Sequence, residues 1–308
     1  MKNKYFKWSL WPISLIVLIL ISSNSPYFIS DKEYFQTITE FNKVTAVEIP
    51  KTLNFAGESV PLNRFYVRES LEREMTVNTY WHSSSILLIK RANRWFPVIE
   101  PILKKYGIPN DFKYLAVAES GLTNIVSPAG ATGFWQIMKA TARERGLEVN
   151  SGVDERYHIE KSTKVACQYL LDAYAKYGSW TMAAASYNAG MARISKEMKR
   201  QNENDYYDMN FGQETGRYMY RILALKQVLS NPKEFGFHLR DTDLYKPYET
   251  KVISIDTTIN DLSAFAHSYG LNYRELKIYN PWMRQAFLPD DSRRAYQILL
   301  PVGAIQKF

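Results

Sequence analysis

The chain has 308 residues, 46% of them hydrophobic, with a net charge of +8. That is enough for one sizeable core plus a smaller module. The charge favours an anionic partner such as nucleic acid, a membrane surface or an acidic cell-wall polymer. Lys and Arg are spread along the chain beyond its basic start and no nucleic-acid motif accompanies them, which argues against nucleic acid. Cys167 is the single cysteine, so an intramolecular disulfide is excluded and compartment is left open. Tyr (22) and Trp (7) are many; most serve packing, and exposed rings could stack on sugars.

Lys2, Lys4 and Lys7 precede a stretch without charge, residues 8–30. Its apolar centre, 10–21, has the length of a signal-peptide core, and the whole run approaches the roughly 20 residues that span a bilayer. Basic residues ahead of an apolar run keep the N-terminus inside and send the rest outward. A cleaved signal and an uncleaved anchor over residues 1–30 remain equal alternatives, and both place the protein in the periplasm or cell envelope. Residues 31–80 read as an N-terminal extension, the first half an extended approach with Pro50 and Gly57 and no sustained period.

Residues 64–103 read as mostly helical. Arg68, Glu69, Glu72, Arg73 and Glu74 stand at helical spacing. Ile86, Leu87, Leu88 and Ile89, then Trp95, Phe96, Ile99 and Leu103, form an apolar stripe that Pro97 and Pro101 are expected to kink or break. Gly107 stops the helix, and Pro109-Asn110-Asp111 opens the next with a cap.

In that next helix, 111–120, Phe112, Leu115 and Ala116 face a core, and Glu119 lies four residues after Leu115 on the same face. A carboxyl at the core-facing end of a helix is desolvated and its pKa rises, the state a general acid needs. Glu119 by itself reads equally well as a solvated helix end. Residues 121–133, rich in Gly, Ser, Thr, Asn and Pro, read as a loop, and 134–145 as the beginning of a helix. Residues 161–177 form an amphipathic helix closed by Gly178, with Cys167 as a buried thiol. Residues 180–187, with Ala183-Ala184-Ala185, form a short buried helix, after which Asn188-Ala189-Gly190 turns the chain toward the site. Tyr218, Ile222, Leu225 and Leu229 share a face of the helix over 213–230. Tyr187 and Tyr218 each read as readily as core packing. Residues 231–247 read as a linker. Beyond it comes a strand (251–255), a helix (259–269), a second helix (273–279) and a closing strand (296–300).

Four segments stand in order: Glu119-Ser120, Gly133-Phe134-Trp135-Gln136, Ser186-Tyr187-Asn188-Ala189-Gly190 and Glu214-Thr215-Gly216-Arg217-Tyr218. Together they resemble the soluble lytic transglycosylase (SLT) family, whose fold is related to goose-type lysozyme. The β-α-α-β end, with Asp261-Leu262 and residues 276–280, resembles a LysM module, a binder of N-acetylglucosamine-containing glycans. It departs from that pattern at Ile255-Asp256-Thr257-Thr258-Ile259 and in an insert over 282–295. The resemblance implies a mainly α chain: a lysozyme-like helical catalytic domain over 81–235, followed by a small βααβ LysM-like domain over 247–303.

The resemblance further implies non-hydrolytic cleavage of the β-1,4 bond between N-acetylmuramic acid and N-acetylglucosamine in peptidoglycan, leaving a 1,6-anhydro end. Glu119 would be the catalytic acid, with Ser120, Ser127, Gln136, Tyr187, Asn188 and Tyr218 binding the substrate. Ordinary glycosidases use two carboxylates, whereas the resemblance implies that one suffices. No metal or cofactor is implied, since His82, His158, His238 and His267 are scattered and no Cys motif exists. The implied partners are peptidoglycan glycan strands, and the membrane if residues 1–30 stay attached. A lysozyme-type hydrolase with Glu214 or Asp154 as a further acid, and a silent peptidoglycan-binding protein, are the rivals.

Overall fold

The stripe in the first long helical stretch decides where the core begins. A computed structural model describes Lys32 and residues 44–289 and 295–304; the signal or anchor expected over 1–30 lies outside them. Helices α1 (Phe65–Tyr80) and α2 (His82–Lys105) are separated at Trp81, whose ψ of 61° leaves the helical region. Of the two outcomes expected of the prolines, kink or break, a break does not occur: α2 runs through both. Pro97 and Pro101 are four apart on the exposed side, where the carbonyls they leave unbonded can be hydrated, while Phe96, Ile99 and Leu103 hold the opposite side in the core. The buried stripe runs through Leu88, Ile89, Ala92, Phe96, Ile99 and Leu103, leaving Ile86 and Leu87 outside it.

A single 3-10 turn, Asn110–Phe112, leads into α3 (Lys113–Ser120). Asp111 is not the expected cap. Its carboxylate accepts the N–H of Ala56 (2.7 Å) and the Lys226 ammonium (2.7 Å), tying the hairpin of β1 (Asn54–Phe55) and β2 (Glu58–Ser59) to the rest. The short helix α4 covers only Lys139–Glu144, because Gln136 takes a left-handed φ of 46° and Ile137 bridges to Thr132. The helix expected from residue 134 is thus delayed.

Helix α5 (Ile159–Tyr177) ends at Gly178 in the left-handed region, φ 65°. Helix α6 (Trp180–Ala189) buries Ala183, Ala184 and Ala185 completely. Its N-terminus is capped from a distance: Glu58 accepts the N–H of Thr181 at 2.8 Å and the hydroxyls of Ser179 and Thr181. Helices α7 (Met191–Gln201) and α8 (Gln213–Ser230) follow, and α8 crosses both α1 and α3. Residues 231–247 are not a free linker. Phe237, Leu239 and Leu244 are buried in the same core as Phe55, Phe112, Leu115 and Trp135.

The last unit is βααβ: β3 (Thr250–Ile255), α9 (Leu262–Ser268), α10 (Tyr273–Tyr279) and β4 (Tyr296–Pro301). The strands are antiparallel, with Thr250 opposite Pro301 and Ile255 opposite Tyr296. Trp282, Met283 and Leu288, from the stretch read as an insert, are buried in this unit's core with Leu262, Leu276 and Ile298. Among the described residues no helix is long and apolar enough to cross a membrane.

Candidate active site

Glu119 sits in the last turn of α3, which Gly121 closes with a left-handed φ of 59° and an N–H bond to the Val117 carbonyl (2.8 Å). Tyr218, in α8, is fully buried and its hydroxyl donates to the Glu119 carboxyl. Burial lifts the Glu119 pKa to about 7; the Tyr218 hydrogen bond and the Arg221 charge oppose the rise, and the charge of Glu214 adds to it. The carboxyl is therefore substantially protonated near neutrality. The hydroxyls of Tyr218 and Tyr187 stay protonated, both pushed far up by burial and by the neighbouring Glu119 charge.

The 123–138 loop forms the adjoining wall. Trp135, wholly buried, donates its indole N–H to Thr163 (2.8 Å), and its carbonyl accepts the Tyr187 hydroxyl (2.7 Å). Gln136 donates its amide to the Gly133 (2.8 Å) and Ile125 (3.1 Å) carbonyls, so its amide oxygen is the group left to meet a ligand. The Ser127 hydroxyl accepts the Ala131 N–H (3.0 Å) and shapes the turn at 127–131. Ser120 stands one residue beyond the acid. It is buried, and its hydroxyl bonds the Phe134 carbonyl (2.8 Å) and the Ala116 carbonyl (3.2 Å), tying the loop to α3. Asn188 accepts from the Thr215 hydroxyl (2.9 Å) and lies 3.5 Å from Glu214, which fixes it to the start of α8.

Asp154 is unavailable as a second acid. It is buried against Arg156, with Nε–Oδ1 at 2.9 Å and Nη2–Oδ2 at 2.7 Å. Glu214 is exposed at the first turn of α8 and close enough to raise the Glu119 pKa. Two supporting residues escaped the sequence reading. Arg221 follows Tyr218 by three residues, hence one helical face, which periodicity could have shown. Arg156 donates to the Gly130 (2.9 Å) and Ile137 (3.1 Å) carbonyls, a link only the folded loop reveals. Among the described residues no cluster of three or more His, Cys, Asp or Glu is arranged to hold a metal.

Residues 97–210 match the family model described as the transglycosylase SLT domain, and residues 251–304 match that of the soluble lytic transglycosylase C-terminal LysM-like domain. The two matches stand in that order along the chain. It is similar to the membrane-bound lytic murein transglycosylase D of Escherichia coli strain K12, at 27% identity over 228 residues, 72% of this chain and 49% of the relative. The protein of that name from Escherichia coli O6:H1 matches to the same extent. The chain thus spans about half the length of the curated relatives it matches. A solved structure, the 70 kDa soluble lytic transglycosylase of Escherichia coli, aligns at 20% identity with a TM-score of 0.38, over 50% of this chain and 27% of that one.

Proposed function

We propose that the protein is a peptidoglycan lytic transglycosylase in which Glu119 is the only carboxylic acid acting directly on the bond. The observation that carries this reading is a single carboxyl with a pKa near 7, held by Tyr218 beside a loop that offers the Gln136 amide oxygen. Protonated Glu119 gives its proton to the glycosidic oxygen as the bond from that oxygen to C1 of N-acetylmuramic acid breaks. The muramic C6 hydroxyl then forms the new bond to C1, and the Glu119 carboxylate takes the hydroxyl proton. The acid ends as it began, the product is a 1,6-anhydro sugar, and no water is consumed. An intramolecular nucleophile lowers the entropic part of the barrier. In this reading Gln136 and Asn188 contact sugar and acetamide groups, while Ser120, Ser127 and Tyr187 position the backbone that presents them. Residues 81–235 form the catalytic domain and 247–303 the LysM-like module. The envelope is the working compartment, reached through residues 1–30 and retaining them if uncleaved; the relatives' description as membrane-bound supports that placement.

Mass spectrometry of sacculi digested with the protein tests the reaction. Anhydro-muropeptides are expected. Reducing-end products would instead make it a lysozyme-type hydrolase, a reading favoured only by the position of Glu214. Bound but intact sacculi would make it a binding protein.

The acid must start protonated, so the rate is expected to fall as pH rises through about 7. The Tyr218 hydrogen bond stabilises the carboxylate, so removing it raises the Glu119 pKa further. In Tyr218→Phe the falling limb should move to higher pH while the maximal rate drops by about tenfold. A limb that stays in place or moves to lower pH would detach the profile from Glu119.

A further inference from the structure

The loop over 130–137 is held from two sides, and both holds lead to the C-terminal module. On the first side Arg156 binds the Gly130 and Ile137 carbonyls, and Asp154 orients Arg156. The module grips the segment that carries this pair. The Asp154 N–H donates to the Trp282 carbonyl (2.9 Å) and the Arg284 N–H to the Gly152 carbonyl (2.8 Å). The Tyr296 hydroxyl donates to the Glu148 carboxylate (3.0 Å), and the Arg284 guanidinium lies 4.0 Å from the Tyr157 ring centroid. Val153 and Tyr157, from the helical domain, are buried in the module's own apolar core.

On the second side stands a row of rings. Phe134 packs edge-on against Trp95 (5.1 Å between centroids), Trp95 against Tyr248 (5.6 Å), and Tyr248 against Tyr279 of α10 (5.1 Å). Arg94 covers the Tyr248 ring at 4.3 Å and donates to its hydroxyl (3.0 Å). Phe134 is the residue whose carbonyl receives the Ser120 hydroxyl, one position from Glu119.

We infer that the C-terminal module braces the catalytic loop, setting the position of Trp135 and Gln136 around Glu119, with Tyr248 and Arg156 as positioning residues. An independent glycan-binding module on a linker needs neither backbone bonds into its neighbour nor a shared core, and inter-domain motion would be its default. Here the module completes the far side of the loop's support. The inference rests on the proposed reading of Glu119 for its catalytic meaning; the bracing itself is a statement about the loop.

The experiment uses the full chain with Tyr248→Ala and Tyr248→Phe. Tyr248 is half-buried, so neither change empties a core. Hydrogen exchange is followed at the Thr132 and Ile137 amides, which bond each other's carbonyls across the loop. Anhydro-sugar release is measured over a range of sacculus concentrations. In Tyr248→Ala, exchange at both amides should quicken by roughly tenfold, and kcat should fall by about tenfold or more at unchanged KM, as displaced groups cost rate rather than affinity. Tyr248→Phe keeps the ring row and should restore both. Unchanged exchange in Tyr248→Ala overturns the brace. A higher KM at unchanged kcat also overturns it, and makes the module a glycan anchor. If the unaltered protein releases no anhydro sugar, the proposed activity fails, while exchange still decides the brace.

Discussion

Glu119→Gln is expected to lower anhydro-sugar release by about 10³- to 10⁴-fold while leaving sacculus binding in place. Removing a positioned general acid costs about 10²- to 10⁴-fold, and in the proposed mechanism the same group also serves as the base, so the upper part of that range applies. The amide keeps the shape and still accepts the Tyr218 hydroxyl, so the loss reports on proton transfer alone. The substitution should also stabilise the protein, in a pH-dependent way. The Glu119 pKa is raised from 4.5 to about 7 on folding, so the native state holds a proton that the unfolded chain releases over that window. Stability therefore falls as pH rises from about 4.5 to about 7, and levels off above. Gln does not titrate. The variant and the parent should melt alike near pH 4, and the variant should be more stable at pH 8 by about 1–3 kcal/mol. A catalytic group that costs stability where it works is a common compromise. Equal melting at both pH values would show that the carboxyl is not desolvated in the fold. A variant that retains most of the rate would remove Glu119 from the chemistry.

Much of this site was legible because helical spacing is a local property. The step from Leu115 to Glu119 is one turn, and burial of that face followed directly. Likewise the βααβ order of the last unit could be read from periodicity and from Gly270 and Asn280-Pro281. What could not be read was which polar groups would meet partners far along the chain. Asp111 looks like a helix cap, yet Ala56 and Lys226 compete for it. Ser120 is a small hydroxyl residue beside Glu119, yet the Phe134 carbonyl, fourteen residues on, takes its hydrogen bond and it is buried. The prolines leave α2 unbroken because their cost depends on which side meets water, and that is decided by the packing of Phe96, Ile99 and Leu103. Residues 231–247 carry linker composition but bury three large side chains, which no local pattern reveals.

Gly133→Ala is expected to be the most damaging small substitution near the site, and a partner variant isolates the reason. Gly130 and Gly133 have the same φ of 83°, so alanine suffers the same backbone strain at either position, about 1–2 kcal/mol. Their surroundings differ. A Cβ on Gly130 meets no heavy atom within 4 Å, whereas on Gly133 it would lie 2.2 Å from the Arg156 carbonyl oxygen. That carbonyl cannot easily retreat. Arg156 lies in the 3-10 turn Glu155–Tyr157, its N–H and guanidinium both bound to Asp154, whose own N–H is bound to the Trp282 carbonyl. The loop must move instead, breaking the Arg156 bonds to Gly130 and Ile137 and leaving buried polar groups without partners, at about 1–3 kcal/mol. Gly133→Ala should therefore lose about 2–5 kcal/mol in urea unfolding, against about 1–2 kcal/mol for Gly130→Ala. It should also lose most of the rate, since Trp135 and Gln136 move with the loop. Equal destabilisation in the two variants would mean that the Arg156 turn yields readily, and that Gly133 is required for its φ alone.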